Sequence, residues 1–146
     1  MRFGDDPNVS GTVLISDGVV AGADIPGNRN PYAQFGSIRS AAVIDRGVYV
    51  YNGQFDLGAA AALEHVQAAK EFATRHDPSN PMHEARIGER LDPNNPEVHA
   101  ILGDALAAIG DVTAPQVEYS EALHSSKFDL TFQKDLLIQL RAKTRR

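Results

Sequence analysis

Pro96–Glu97–Val98–His99–Ala100–Ile101–Leu102–Gly103–Asp104 opens a helix, Ile109–Gly110–Asp111 turns it, and Pro115 through Leu123 makes a second helix. Thirty-four residues earlier the pattern recurs. His99 maps to His65, Leu102 to Ala68, Gly103 to Ala69, Leu106 to Phe72, Asp111 to Asp77, Pro115 to Pro81, Tyr119 to Ala85 and Ala122 to Gly88. A helical hairpin repeated at a fixed period predicts units that bury their apolar faces only by stacking on one another. The two copies occupy residues 62–95 and 96–129.

Working outward toward the C-terminus, Leu130 to Lys143 carries Leu130, Phe132, Leu136, Leu137 and Leu140 on a helical period. It is expected to cap the open end of the stack within residues 130–146. The terminal cations Arg141, Lys143, Arg145 and Arg146 offset the negative end of that helix. Upstream, Asp56 is placed to cap a helix from Leu57 to about His76, with Leu63, Val66, Ala69, Lys70, Phe72 and Ala73 as its mostly apolar stripe. Asp77–Pro78–Ser79–Asn80 breaks it, Pro81 begins the next helix to Leu91, and Asp92–Pro93–Asn94–Asn95 is the following break. There Asn95 caps a helix with Pro96 at its first position.

Residues 1–55 read differently. The opening through Ser10 is turn-rich and expected to be loosely held, and Thr12–Val13–Leu14–Ile15–Ser16 reads as a short strand closed by Asp17–Gly18. Residues 22–31 form a loop, from which Asn30–Pro31 starts a short helix through Phe35. Ala41 to Ile44 and Val48 to Tyr51 flank Asp45–Arg46–Gly47 as a hairpin, which Asn52–Gly53 is expected to end. The fold class is therefore α+β, mainly α: a small hairpin or three-stranded sheet, then a superhelix of about five helices.

The second copy resembles the tetratricopeptide repeat family through Leu102, Gly103, Tyr119 and Ala122, with Leu106 in place of an aromatic residue. The first copy matches through Ala69, Gly88 and Pro93. Both depart where Pro81 and Pro115 replace alanine, and a generic bundle of helical hairpins is the plainer alternative. Residues 30–65, through Asn30–Pro31–Tyr32, Phe35, Val48–Tyr49–Val50–Tyr51 and Phe55–Asp56–Leu57, are also similar to a soluble C-terminal region of bacterial membrane glycosyltransferases. Those enzymes use polyprenyl-linked sugars and resemble protein O-mannosyltransferases. That resemblance implies an extracytoplasmic tail of a catalytic membrane portion, with no catalytic carboxylate carried onto this chain.

The repeat resemblance implies a protein or peptide ligand on a concave face lined by the first helices. By position the face comprises Leu63, Val66, Lys70, Ala73 and Thr74, then Glu97, Ala100, Asp104, Ala107 and Ala108. It lacks the Lys and Asn set by which some family members clamp a terminal carboxylate. Two repeats make a short groove, and the same residues could instead pack on the N-terminal sheet.

Composition narrows the chemistry. At 146 residues with 42% hydrophobic and 23% charged, the chain can bury a core without staples. A net charge of −5 argues against general nucleic-acid binding, which needs a clustered basic face. There is no cysteine, so thiolate nucleophiles, disulfides and cysteine zinc sites are excluded. The apolar run from Leu57 to Leu63 is far too short to span a bilayer, and the chain alone reads as cytoplasmic. His65, His76, His83, His99 and His124 show no helical zinc-binding spacing, and His65 and His99 are expected to pack between helices. No catalytic residue, metal ligand or cofactor is assigned from the sequence, and the expected role is a non-catalytic interaction module.

Overall fold

The computed structural model describes residues 7–23, 30–45, 47–75, 79–127 and 129–143. Expectations for residues 1–6, for the loop at 24–29, for His76 and the break at Asp77–Pro78, and for the tail at Arg145–Arg146 lie outside the described residues.

Three antiparallel strands, β1 (Asn8–Ser16), β2 (Ala42–Ile44) and β3 (Val48–Asp56), form a sheet in the order β1-β3-β2. The β2–β3 hairpin turns where sequence placed it, with Asp45 at φ 37° and Gly47 at φ 108°. Asn52–Gly53, however, does not end β3. The strand runs on to Asp56 because β1 is nine residues long and pairs along all of it, from Ser16↔Val48 to Asn8↔Asp56. Thr12 faces Asn52 and donates its hydroxyl to Asn52 Oδ1 at 2.7 Å, while Gly11 faces Gly53, so a turn-like dipeptide is absorbed as two cross-strand pairs. Residues 8–10 accordingly belong to a strand and not to a loose opening.

Alternation puts Tyr49, Tyr51, Gly53 and Phe55 on one face of β3. Tyr51 and Phe55 are buried with Ile15, Phe35, Leu57 and Ala60. The Phe35 ring lies 4.9 Å from Tyr51 and 5.1 Å from Phe55, and the Tyr51 hydroxyl donates to the Phe35 carbonyl at 3.0 Å. Phe35 arrives on a 3₁₀ turn, Ala33–Ser37, which begins two residues later than the helix expected from Asn30–Pro31 and runs on past Phe35. Asn30 instead makes a turn before it, its Oδ1 accepting from Tyr32 N at 2.9 Å. The Asn30 amide also donates to the Val19 and Val20 carbonyls at the end of the short helix α1 (Asp17–Val20), tying that helix to the turn.

Among the described residues, five further helices follow: α2 (Gly58–Ala73), α3 (Ser79–Leu91), α4 (Pro96–Ala108), α5 (Ala114–Ser125) and α6 (Leu130–Lys143). The chain is thus mainly helical, with the small sheet at its N-terminal end. Asp56 Oδ1 accepts from Gly58 N at 2.8 Å to start α2, and Asn95 Oδ1 accepts from Glu97 N at 3.1 Å to start α4. Pro81 and Pro115 fall in the first turns of α3 and α5, where a missing donor costs no helical bond. α2 packs on α3, α3 on α4, α4 on α5, and the two first helices α2 and α4 also touch. A second core cluster of Val66, Ala85, Val98 and Leu102 lies between them. Gly58 has no room for a side chain, since a Cβ there would sit 2.6 Å from the Leu91 carbonyl oxygen.

The 34-residue period is visible in this packing. Pro81 and Pro115 are both buried, as are Gly88 and Ala122, Ala69 and Gly103, and Asp92 and Ser126. Asn95 and Asp129, one period apart, cap α4 and α6, the latter with Oδ1 accepting from Phe132 N at 3.0 Å. α6 covers the end of the stack less completely than its pattern predicts. Leu136 is buried, but Leu130 and Leu137 are 74% and 41% exposed, because α6 has no following helix to pack on that side among the described residues.

Candidate functional site

The face expected to receive a ligand is built from α2 and α4, and its members have unequal fates. Val66 is 0% exposed and belongs to the second core cluster, so its assignment to a ligand-facing surface is corrected: α3 and α4 close over it. Leu63 and Ala100 are half-buried. Ala73 and Thr74 at the end of α2, and Ala107 and Ala108 at the end of α4, are exposed. The Thr74 hydroxyl donates to the Glu71 carbonyl at 2.6 Å.

The charged members are already engaged. Lys70 of α2 pairs with Glu97 in the first turn of α4, a bridge across the two first helices with both ends partly exposed. Asp104 lies seven residues beyond Glu97, about 10 Å along the α4 axis. Two turns on, it lies on nearly the same side of α4 but meets different partners, accepting from the Tyr119 hydroxyl of α5 at 2.6 Å and from Lys143 of α6. Lys143 also sits over the Tyr119 ring, 5.1 Å from its centroid. Burial and the Asp104 carboxylate push the Tyr119 hydroxyl well above the usual phenol range, so it stays protonated and donating. Sequence position thus brings Lys70 and Glu97 together, while Asp104 joins a separate group at the α5–α6 side.

His65 and His99 pack between helices as expected, but each also makes a polar clasp that sequence reading missed. His65 Nδ1 meets Glu84 Oε2 at 2.7 Å, and one period later His99 Nδ1 meets Glu118 Oε2 at 2.8 Å. Each clasp joins the two helices of one unit. The signal was present as a histidine followed nineteen residues later by glutamate in both copies. His99 is the more buried, and its Nε2 lies 2.9 Å from the Pro93 carbonyl. Burial alone lowers its basicity, but the Glu118 and Pro93 hydrogen bonds and the Glu118 and Glu89 charges outweigh it and raise the imidazole pKa above its ordinary value. With acceptors on both ring nitrogens, the doubly protonated imidazolium satisfies the geometry.

Among the described residues every buried side-chain nitrogen or oxygen has a partner. None of their helices is long and apolar enough to cross a membrane. No family model, curated protein or solved structure matches this chain.

Proposed function

We propose that the chain is a non-catalytic module of tetratricopeptide type that binds a protein or peptide on the surface shared by α2 and α4. The observation that carries this reading is the repetition of one helix pair with its interior joints at a period of 34 residues, the His65–Glu84 and His99–Glu118 clasps among them. Repetition of this kind sets the first helices side by side and gives one continuous surface. That surface has small exposed residues, Ala73, Thr74, Ala107 and Ala108, which let a ligand approach the helices closely. The Lys70–Glu97 bridge crosses it. Exposed pairs of this type contribute only about 0–1 kcal/mol, so a ligand bringing its own charges can exchange with either end at little cost.

The test is affinity capture from the native host with Ala73→Arg/Ala107→Arg, compared with Val117→Arg on the exposed side of α5. A specific partner should be lost by the first variant and kept by the second. Recovery of that partner at unchanged affinity by Ala73→Arg/Ala107→Arg overturns the assignment of the surface.

A second reading, the soluble tail of a membrane glycosyltransferase, is favoured by one observation: Phe35, Tyr51, Phe55 and Leu57, from the segment carrying that resemblance, converge in a single cluster. In that case an antibody against this chain detects a much larger product in host membranes. A product of this chain's own size in the soluble fraction overturns it.

A further inference from the structure

We propose that Glu89 of α3, His99 of α4 and Glu118 of α5 form a binding site for one divalent transition-metal ion, of which Zn²⁺ is the best match. One ligand atom from each residue lies within 4.8 Å of the other two. Around tetrahedral zinc, bonds of about 2.0–2.1 Å place neighbouring donors roughly 3.4 Å apart. The His99 Nδ1–Glu118 Oε2 pair, at 2.8 Å, is already closer than this and must open by roughly half an ångström, while the wider separations, up to 4.8 Å, must close. Glu89 and Glu118 are half-buried on flexible stems and can supply that movement, while His99 is buried and fixed.

The fixing contact favours a metal. Nε2 of His99 lies 2.9 Å from the Pro93 carbonyl oxygen, which can only accept, so this nitrogen carries a hydrogen. In the neutral ring the lone pair is then on Nδ1, the nitrogen that faces Glu118 at 2.8 Å. A carbonyl holding the far N–H of an imidazole is the usual means of orienting a metal-bound histidine. One nitrogen and two carboxylate oxygens suit a borderline ion such as zinc better than magnesium or calcium, and three protein ligands leave a fourth position for water. Sequence spacing could not indicate this site, because no two of its residues share a helix.

The first repeat supplies an internal comparison. His65 and Glu84 reproduce the pair, but one period before Glu89 stands Phe55, and one period before Pro93 stands Ala59. Glu89 itself stands in the first copy, on α3, so it reaches the His99–Glu118 pair across the boundary between the copies, and the His65–Glu84 pair has no such third donor. This site does not depend on how the α2–α4 surface is used.

The test uses the full chain stripped with chelator, titrated with Zn²⁺ by calorimetry and with Co²⁺ by visible absorption. One ion per chain is expected, with four-coordinate Co²⁺ bands and a thermal midpoint raised by Zn²⁺. Glu89→Gln preserves side-chain shape and should weaken Zn²⁺ binding at least about tenfold, the scale seen even for ligand-orienting groups. Glu89→Asp, which retracts the carboxylate, should weaken it too. Glu84→Gln should leave affinity unchanged, and Mg²⁺ should not compete. No Zn²⁺ uptake by the folded wild-type chain overturns the proposal. So does uptake that survives Glu89→Gln, which would assign the ion to surface groups such as His83 and His124, or uptake that Glu84→Gln abolishes.

Discussion

At Gly103 the absence of a side chain is what lets α5 lie against α4. A Cβ there would stand 2.5 Å from Cε1 of Tyr119, and that ring cannot simply swing away, since Asp104 and Lys143 hold its hydroxyl. Gly103→Ala should destabilise the chain by about 1–3 kcal/mol, as overpacked cores do. The loss should shrink in a Tyr119→Ala background, and urea titration of the four-member cycle reads the coupling. His99 gives a pH prediction for the metal-free chain in chelator. Its pKa is raised on folding, so the stabilisation is complete below the unfolded value of about 6.5 and fades as pH climbs through the higher folded value. The groups around it are Glu89 from α3, Glu118 from α5 and the Pro93 carbonyl. The thermal midpoint should fall from slightly acid to alkaline pH, and Glu118→Gln should flatten that slope; a wild-type midpoint that rises instead would contradict the clasp. The spacing of each histidine and glutamate was legible, but nothing in one copy says that residues nineteen apart will meet.

Element by element, the readable features were those whose cause is local. Asn95 with Pro96, Asp56 before the alanine-rich run, and Gly47 between two apolar runs each act on their own neighbours, and each element forms where its signal stands. Asn95→Ala should cost about 0.5–2 kcal/mol in urea unfolding, because the side chain satisfies an otherwise orphaned donor at a buried joint. The misread elements depend on partners distant in sequence. Asn52–Gly53 looks like a turn until Thr12 and Gly11 arrive opposite. Val66 shares a helical stripe with Lys70, and only the placement of α3 and α4 decides that it is sealed inside. The same holds for α6, where Leu130 and Leu137 fit an inward stripe but have no neighbour to cover them among the described residues.

Among the described residues, two apolar clusters share one element: α2 contributes Ala60 to the sheet cluster and Val66 to the inter-helix cluster. A helix of this kind couples their unfolding. Phe35→Ala, removing a ring that is 1% exposed, should cost about 3–5 kcal/mol. It should lower the helical far-ultraviolet signal and the tyrosine near-ultraviolet signal together, in one transition. Two separated transitions would show that the sheet and the helices fold independently. The overall class, sheet first and helices after, was legible because both halves advertise their period, and so was a sheet leaning on the first repeat helix; which α2 residues meet it was not, since alanines carry no directional pattern.

Asn95 and Asp129 open their helices by equivalent side-chain contacts one period apart. Excising residues 96–129 would set Leu130 directly after Asn95, with Phe132 and Leu136 arriving at the stations of Val98 and Leu102. A crossover between the two halves of the gene would therefore shorten the protein, or by the reciprocal event lengthen it, through a splice point whose chemistry already exists. Array length is the property this architecture leaves most open to inheritance.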